Sequence, residues 1–155
     1  MEVIFNIKKK SVYDEVAKLT SYIGAKTIAD TGISYDRIFV TDDDQTMLER
    51  FWRESVDTIT DLLKRYITAV TSPVNSQTVD ITEIWSISLN VPTEYDTLLT
   101  NAINDLMISY ITNSITAKWL MITNRADAEA YSNIAAAQLR EISNLFHQRK
   151  APVLS

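Results

Sequence analysis

Cysteine is missing altogether from the 155 residues. Disulfides, thiolate zinc sites, iron–sulfur clusters and cysteine nucleophiles are therefore excluded together, and the composition suits a reducing compartment. Glycine is nearly missing, at Gly 2. The phosphate-cradling loops of P-loop and dinucleotide-binding folds need backbone without Cβ beside the anion, so nucleotide enzymes of those types are disfavoured. Histidine occurs once, as His147. A histidine metal site would have to complete its ligands from carboxylates or neighbouring subunits, and a Ser/His/Asp triad would rest on this residue alone. No apolar run approaches the roughly 20 residues of a membrane helix. The opening MEVIFNIKKK sets its basic residues after the apolar ones, the reverse of a secretory signal, so a soluble intracellular chain is expected.

A net charge of -5 and a pI near 4.8 favour solubility and oppose broad affinity for nucleic-acid backbone, where Lys and Arg displace counterions. A chain of this length buries roughly 70% of its unfolded surface, enough for one real core. A single domain, 1–155, is expected, and no internal repeat or low-complexity segment is visible.

Hydrophobic periodicity predicts a mainly α fold of four helices with a minor β element. Val3, Phe5 and Ile7 alternate with Glu2, Ile4 and Asn6 as a short strand, cut off by Lys8-Lys9-Lys10. Ser11 then caps a helix near 11–24, with Val12, Val16, Leu19 and Ile23 on one face and Gly24 as its end. Residues 25–40 read as irregular, with a turn at Asp30-Thr31-Gly32 and an extended piece at Tyr35 to Val40. Thr41-Asp42-Asp43-Asp44 places acids at the positive end of a second helix near 42–70. Its stripe runs through Leu48, Phe51, Trp52, Ser55, Ile59, Leu62, Leu63, Tyr66 and Val70 until Thr71-Ser72-Pro73 breaks it and Val74-Asn75-Ser76 continues the turn.

From Val79 to Val91 the odd positions are mostly apolar and the even ones mostly polar, which is a strand with one wet face. The strand at 3–7 and the segment at 35–40 are its candidate partners. Pro92-Thr93-Glu94 opens a third helix near 93–122, whose apolar surface is wide enough for burial on more than one flank. A fourth helix near 125–148 follows almost without linker. Asn124 is expected at the left-handed C′ position of the third helix, with Asp127 capping the fourth. Alanines 128, 130, 135, 136 and 137 allow close packing, and a tail at 149–155 follows.

Few residues suggest chemistry. Asp42 to Asp44 invite a calcium reading, but an EF-hand loop starting at Asp42 would place Met47 where glycine is required and Arg53 where glutamate is required. Helix capping is the preferred role. Glu49, Glu54, Asp57 and Asp61 read as the solvated face of the second helix, since no Glu-x-x-His pair accompanies them. His147 suits the negative end of a helix. Trp52 and Trp119 read as core anchors, and Trp85 as either core or interface. Lys8, Lys9 and Lys10 read as a soluble run that keeps a strand from aggregating, or as a contact for phosphate or an acidic partner.

The order of elements carries a resemblance. The segments TDDDQTMLERFWRESVDTITDLLKRYI, WSISLNVP, EYDTLLTNAINDLMISYITNSITAKWLMITN and RADAEAYSNIAAAQLREISNLFHQRKAP together resemble the head–tail connector (neck adaptor) proteins of tailed bacteriophages. The likeness is to those of phages and prophages of Bacteroides-like hosts. It covers residues 41–152 and is strongest at Trp119 to Asn124 and Asp127 to Tyr131. The resemblance implies a non-catalytic subunit of a ring, commonly of twelve copies, made in the host cytoplasm and placed in the virion neck. Such a ring docks beneath the portal protein, meets tail or further neck proteins, and passes DNA through its lumen without sequence-specific binding.

No catalytic, cofactor or metal residue is expected, and no membrane partner. The expected contacts are Trp85, Ile87 and Leu89 on the strand, with Lys8, Lys9, Lys10, Arg149 and Lys150 at the chain's ends. Alternatives are a DNA-packaging recognition module of the small-terminase kind, another homo-oligomeric helical protein, or a metal-dependent enzyme using the carboxylates. The packaging module would need an exposed basic recognition helix, which the sequence does not offer.

Overall fold

A computed structural model of the chain describes residues 1–31, 44–70 and 82–149. Strand β1, Glu2–Lys8, alternates as its sequence requires, burying Val3, Phe5 and Ile7. Helix α1, Lys9–Thr31, follows directly. It begins two residues before the expected Ser11 cap because the Lys9 backbone N–H is already satisfied by the Glu83 carbonyl at 3.1 Å. It also passes through Gly24, where a glycine costs roughly 0.5–1 kcal/mol relative to alanine, too little to end a helix.

Helix α2, Gln45–Leu63, buries Leu48, Phe51, Trp52, Ser55, Ile59 and Leu63 of the expected stripe, and Val56 beside them. Asp44 occupies its N-cap position without a side-chain capping bond; Asp42 and Asp43 lie outside the described residues. The helix does not reach residue 70. A 3-10 turn, Lys64–Tyr66, ends it, and Ile67–Val70 forms strand β2. β-Branched Ile67, Thr68 and Val70 suit a pleated surface, and the edge of β3, Ile84–Asn90, supplies the partner.

The sheet order is β1-β3-β2, antiparallel throughout. Phe5 stands opposite Ile87 and Ile7 opposite Trp85 in an unbroken register. The β2 pairing is bulged between Ile67 and Ala69. Thus β1 is one partner that the sequence named for β3, while β2 was missed. The other named candidate, 35–40, lies outside the described residues, as do the turn at 71–76, the start of the predicted strand at 79–81, and residues 150–155.

Pro92-Thr93-Glu94 does not open the third helix. Asp96 accepts a hydrogen bond from the Leu98 N–H at 3.0 Å and caps a short 3-10 turn, Thr97–Leu99. Helix α3, Thr100–Thr123, then begins, and helix α4, Arg125–His147, returns beside it. Asn124 alone joins them. Its φ of -155° is extended rather than left-handed, in contrast to the expected C′ geometry.

The connection is short because Asn124 serves both helices. Its N–H donates to Leu120 O at 2.7 Å, its carbonyl accepts from Asp127 N at 3.2 Å, and its amide donates to the Asp127 carboxylate at 2.7 Å. Asn124, not Asp127, therefore takes the cap position of α4.

α3 is the hub of the fold, touching α1, α2, α4 and β1. Ile103, Met107, Ile111, Ile115 and Leu120 are buried on it, which accounts for its wide apolar surface. Ala128 and Ala135 bring α4 close, and Ile142 and Phe146 complete its inner face. The helices cover one face of the sheet, where Val3, Phe5, Ile7, Trp85, Ile87 and Leu89 join the same core. Full burial of a large apolar side chain contributes about 1.5–3 kcal/mol. Among the described residues no helix is long and apolar enough to cross a membrane.

Candidate functional site

The inward parity of β1 continues one residue past its end. Val3, Phe5 and Ile7 face the core, and Lys9 follows them in, with 0% of its surface exposed. A buried ammonium must be paired. Its Nζ lies 2.7 Å from Glu49 Oε2 on α2 and also bonds the Glu83 carboxylate just before β3. Tyr13, one turn along α1, donates its phenolic O–H to Glu49 Oε2 at 2.9 Å. Arg53 Nε reaches Glu49 Oε1 at 3.2 Å.

Two cations and two anions thus balance inside one cluster. The Lys9 ammonium also stands 5.8 Å from the centroid of the Trp52 ring, and Tyr13 meets that ring edge-on, where an aromatic face attracts a cation. Burial pushes the Tyr13 phenol well above its ordinary range. The adjacent Glu49 carboxylate, its hydrogen bond and the Glu83 charge add to the effect, and Arg53 partly opposes it. Tyr13 is consequently a fixed donor. The cluster ties the β1–α1 junction to α2 and to the start of β3.

These positions correct several expectations. Lys9 is neither a solvated gatekeeper nor an outward contact, and Glu49, 9% exposed, is not part of a solvated face. Trp85, Ile87 and Leu89, expected at an interface, are 1%, 0% and 0% exposed because the helices cover their side of β3. The wet side of β3 carries Ile84, Ser86, Ser88 and Asn90.

Lys8 lies on the exposed face of β1, and Lys10 pairs with Asp14 at 2.9 Å on the outside of α1. Arg149 is exposed, its backbone bridged to Tyr95; Lys150 lies outside the described residues. The structure therefore does not gather the expected contact residues into one surface. Trp52 and Trp119 are buried, as expected. His147 donates through Nδ1 to Ser143 O at 2.8 Å, and its ring packs edge-on against Tyr66.

A second feature is a cavity of about 600 Å³ between α1 and α3, lined by Asp14, Glu15, Lys18, Ser109, Thr112 and Asn113. Its charged wall is internally neutralised by the Glu15–Lys18 and Lys10–Asp14 pairs. The Thr112 hydroxyl has no partner among the described residues, but its oxygen is sealed from solvent and offers nothing to a ligand. Among the described residues no cluster of three or more His, Asp or Glu is arranged to hold a metal.

Several apolar side chains also lie exposed. Leu98, just before α3, is 87% exposed, while Met121 and Ile122, at the far end of α3, are 52% and 61% exposed. Compared with protein-family models, curated proteins and solved structures, the chain matches none. The Lys9 cluster had one signal in the sequence, the inward parity of residue 9 after Val3, Phe5 and Ile7. Its partners had none, because Glu49 and Glu83 are 40 and 74 residues away along the chain.

Proposed function

We propose that this chain is a structural subunit that assembles head to tail with copies of itself, as a head–tail connector ring does between portal and tail. The observation that carries the reading is the placement of Leu98 against that of Met121 and Ile122. They mark opposite ends of α3, a rod of 24 residues, or about 36 Å at about 1.5 Å per residue. Two different apolar ends on one rigid element are the requirement for a heterologous contact, which closes into a ring when the rotation permits. Pairing the rod with α4 through buried alanines keeps its ends at a fixed separation. The net charge of -5 suits a conduit in which DNA must slide, since each cation on a phosphate would retard it.

Native mass measurement of the full chain, alone and with a portal protein, tests this. Species larger than a dimer are expected, and Leu98→Asp or Ile122→Asp should abolish them while circular dichroism stays unchanged. If the chain never exceeds a dimer, with or without portal protein, the reading fails.

A further inference from the structure

The two edges of the sheet differ. β2 has four residues and a bulge, features that discourage further pairing. β1 has seven residues, an unbroken register with β3, and no bulge. Val91 N donates to Met1 O and Lys9 N to Glu83 O, so the odd residues of β1 direct their backbone groups toward β3. In an antiparallel ladder this parity sends the N–H and C=O groups of Glu2, Ile4, Asn6 and Lys8 to the open side. Among the described residues no backbone group pairs there. The side chains of the same four residues are exposed.

We infer that β1 is a self-complementary edge whose partner is β1 of a second copy of this chain, joined antiparallel about a two-fold axis at Phe5. The parity restricts the register, since even residues must stand opposite even residues. The register centred on Phe5 places Glu2 opposite Lys8, Ile4 opposite Asn6, and the reciprocal pairs likewise. It is the register in which all four outward residues of each strand find a partner, and it sets opposite charges directly across from each other at both ends. A slip of two residues leaves one outward residue unmatched and sets each remaining charge opposite Asn6 or Ile4.

Among the described residues Glu2 and Lys8 take no part in another ion pair, so both charges are available. A lone edge lysine protects against pairing, but a lysine and a glutamate symmetric about the strand centre favour pairing with a copy. The product is a six-stranded sheet ordered β2-β3-β1-β1-β3-β2. This contact is separate from the ends of α3 and does not depend on ring formation.

Sedimentation velocity on the full chain, on Glu2→Lys, on Lys8→Glu, and on an equal mixture of the two tests the inference. The β1–β1 dimer should be present in the unaltered chain and should be the species that remains when Leu98→Asp removes the larger assemblies; the variants are therefore compared in the Leu98→Asp chain. Each single variant sets like charges opposite each other twice and should dimerise at least about tenfold more weakly. The mixture should recover dimers of unaltered strength, because each variant's new charge then meets the other's. Ile4→Pro, which removes an outward N–H but no β1–β3 bond, should in the same Leu98→Asp chain leave a monomer by sedimentation that circular dichroism shows to be folded. The inference is overturned if the unaltered chain shows no dimer, if the single variants dimerise normally, if mixing restores nothing, or if Ile4→Pro still pairs. Leu98→Asp should leave this dimer intact, which separates its failure from failure of the assembly reading.

Discussion

The corner where β1 enters α1 and the hairpin of α3 and α4 are both buried, yet opposite forces hold them. At the corner, Lys9 is enclosed by Glu49, Glu83, Tyr13 and the Trp52 ring. In the hairpin, Ala128, Ala135, Ile142 and Phe146 close on an apolar α3. The corner depends on completeness, because removing one partner strands a charge away from water. The hairpin depends on volume, and its losses scale with the space left behind.

The largest effect is expected at the corner. Lys9→Ala leaves two carboxylates facing each other with their cation gone, and should lower stability by about 3–5 kcal/mol, read from the urea midpoint. Leu120→Ala in α3 should follow at about 2–5 kcal/mol by the same measurement. Its effect should be the same at pH 6 and pH 9, since only apolar contact is lost. A pH-dependent deficit at Leu120 would blur the contrast between the two regions.

Tyr13→Phe removes a hydrogen bond to a carboxylate and should cost about 1.5–3 kcal/mol at neutral pH. Its pH signature is more specific. The folded state holds the Tyr13 proton more tightly than the unfolded chain, whose phenol ionises near 10.0. The associated stability is complete below that pH and is lost as pH rises above it. Denaturant titrations at pH 9 and pH 11 should show a smaller alkaline loss for Tyr13→Phe than for the unaltered chain. The remaining slope includes Tyr95 and Tyr131, whose phenols burial also raises.

The smallest effect belongs to the exposed pair that joins α2 to α3. The hydrogen bond from Lys118, ahead of its charge and the contributions of Arg50, holds the Glu54 carboxyl below its usual range. That contribution is present above the ordinary carboxylate range and disappears as pH falls through the lowered value. Lys118→Ala should cost no more than about 1 kcal/mol at pH 7, and less near pH 3, because the pair is partly exposed and screened.

Legibility in the sequence followed the range of the interactions. The alternation at Val3, Phe5 and Ile7 announced β1, and the stripe from Leu48 to Leu63 announced α2, because each element buries one face at its own period. The end of α2 was misread because Tyr66 and Val70 extend the helical spacing, whereas Ile67 to Val70 pair with a strand that begins fourteen residues later. Asn124 was recognised as the junction of two helices, but its conformation was not, since a left-handed cap and an extended shared cap favour the same residue type.

By itself the sequence determined the elements whose reason is local: two strands, four helices in order, an abrupt α3–α4 turn, and the absence of cysteine chemistry. The tertiary structure alone decided which charges are buried and which apolar residues remain outside. Three adjacent lysines look alike along the chain, yet Lys8 is exposed on β1, Lys9 is sealed among carboxylates, and Lys10 is in solvent. The reason is physical: a side chain's solvation depends on what distant segments bring to it, and no local period encodes a partner 40 or 74 residues away.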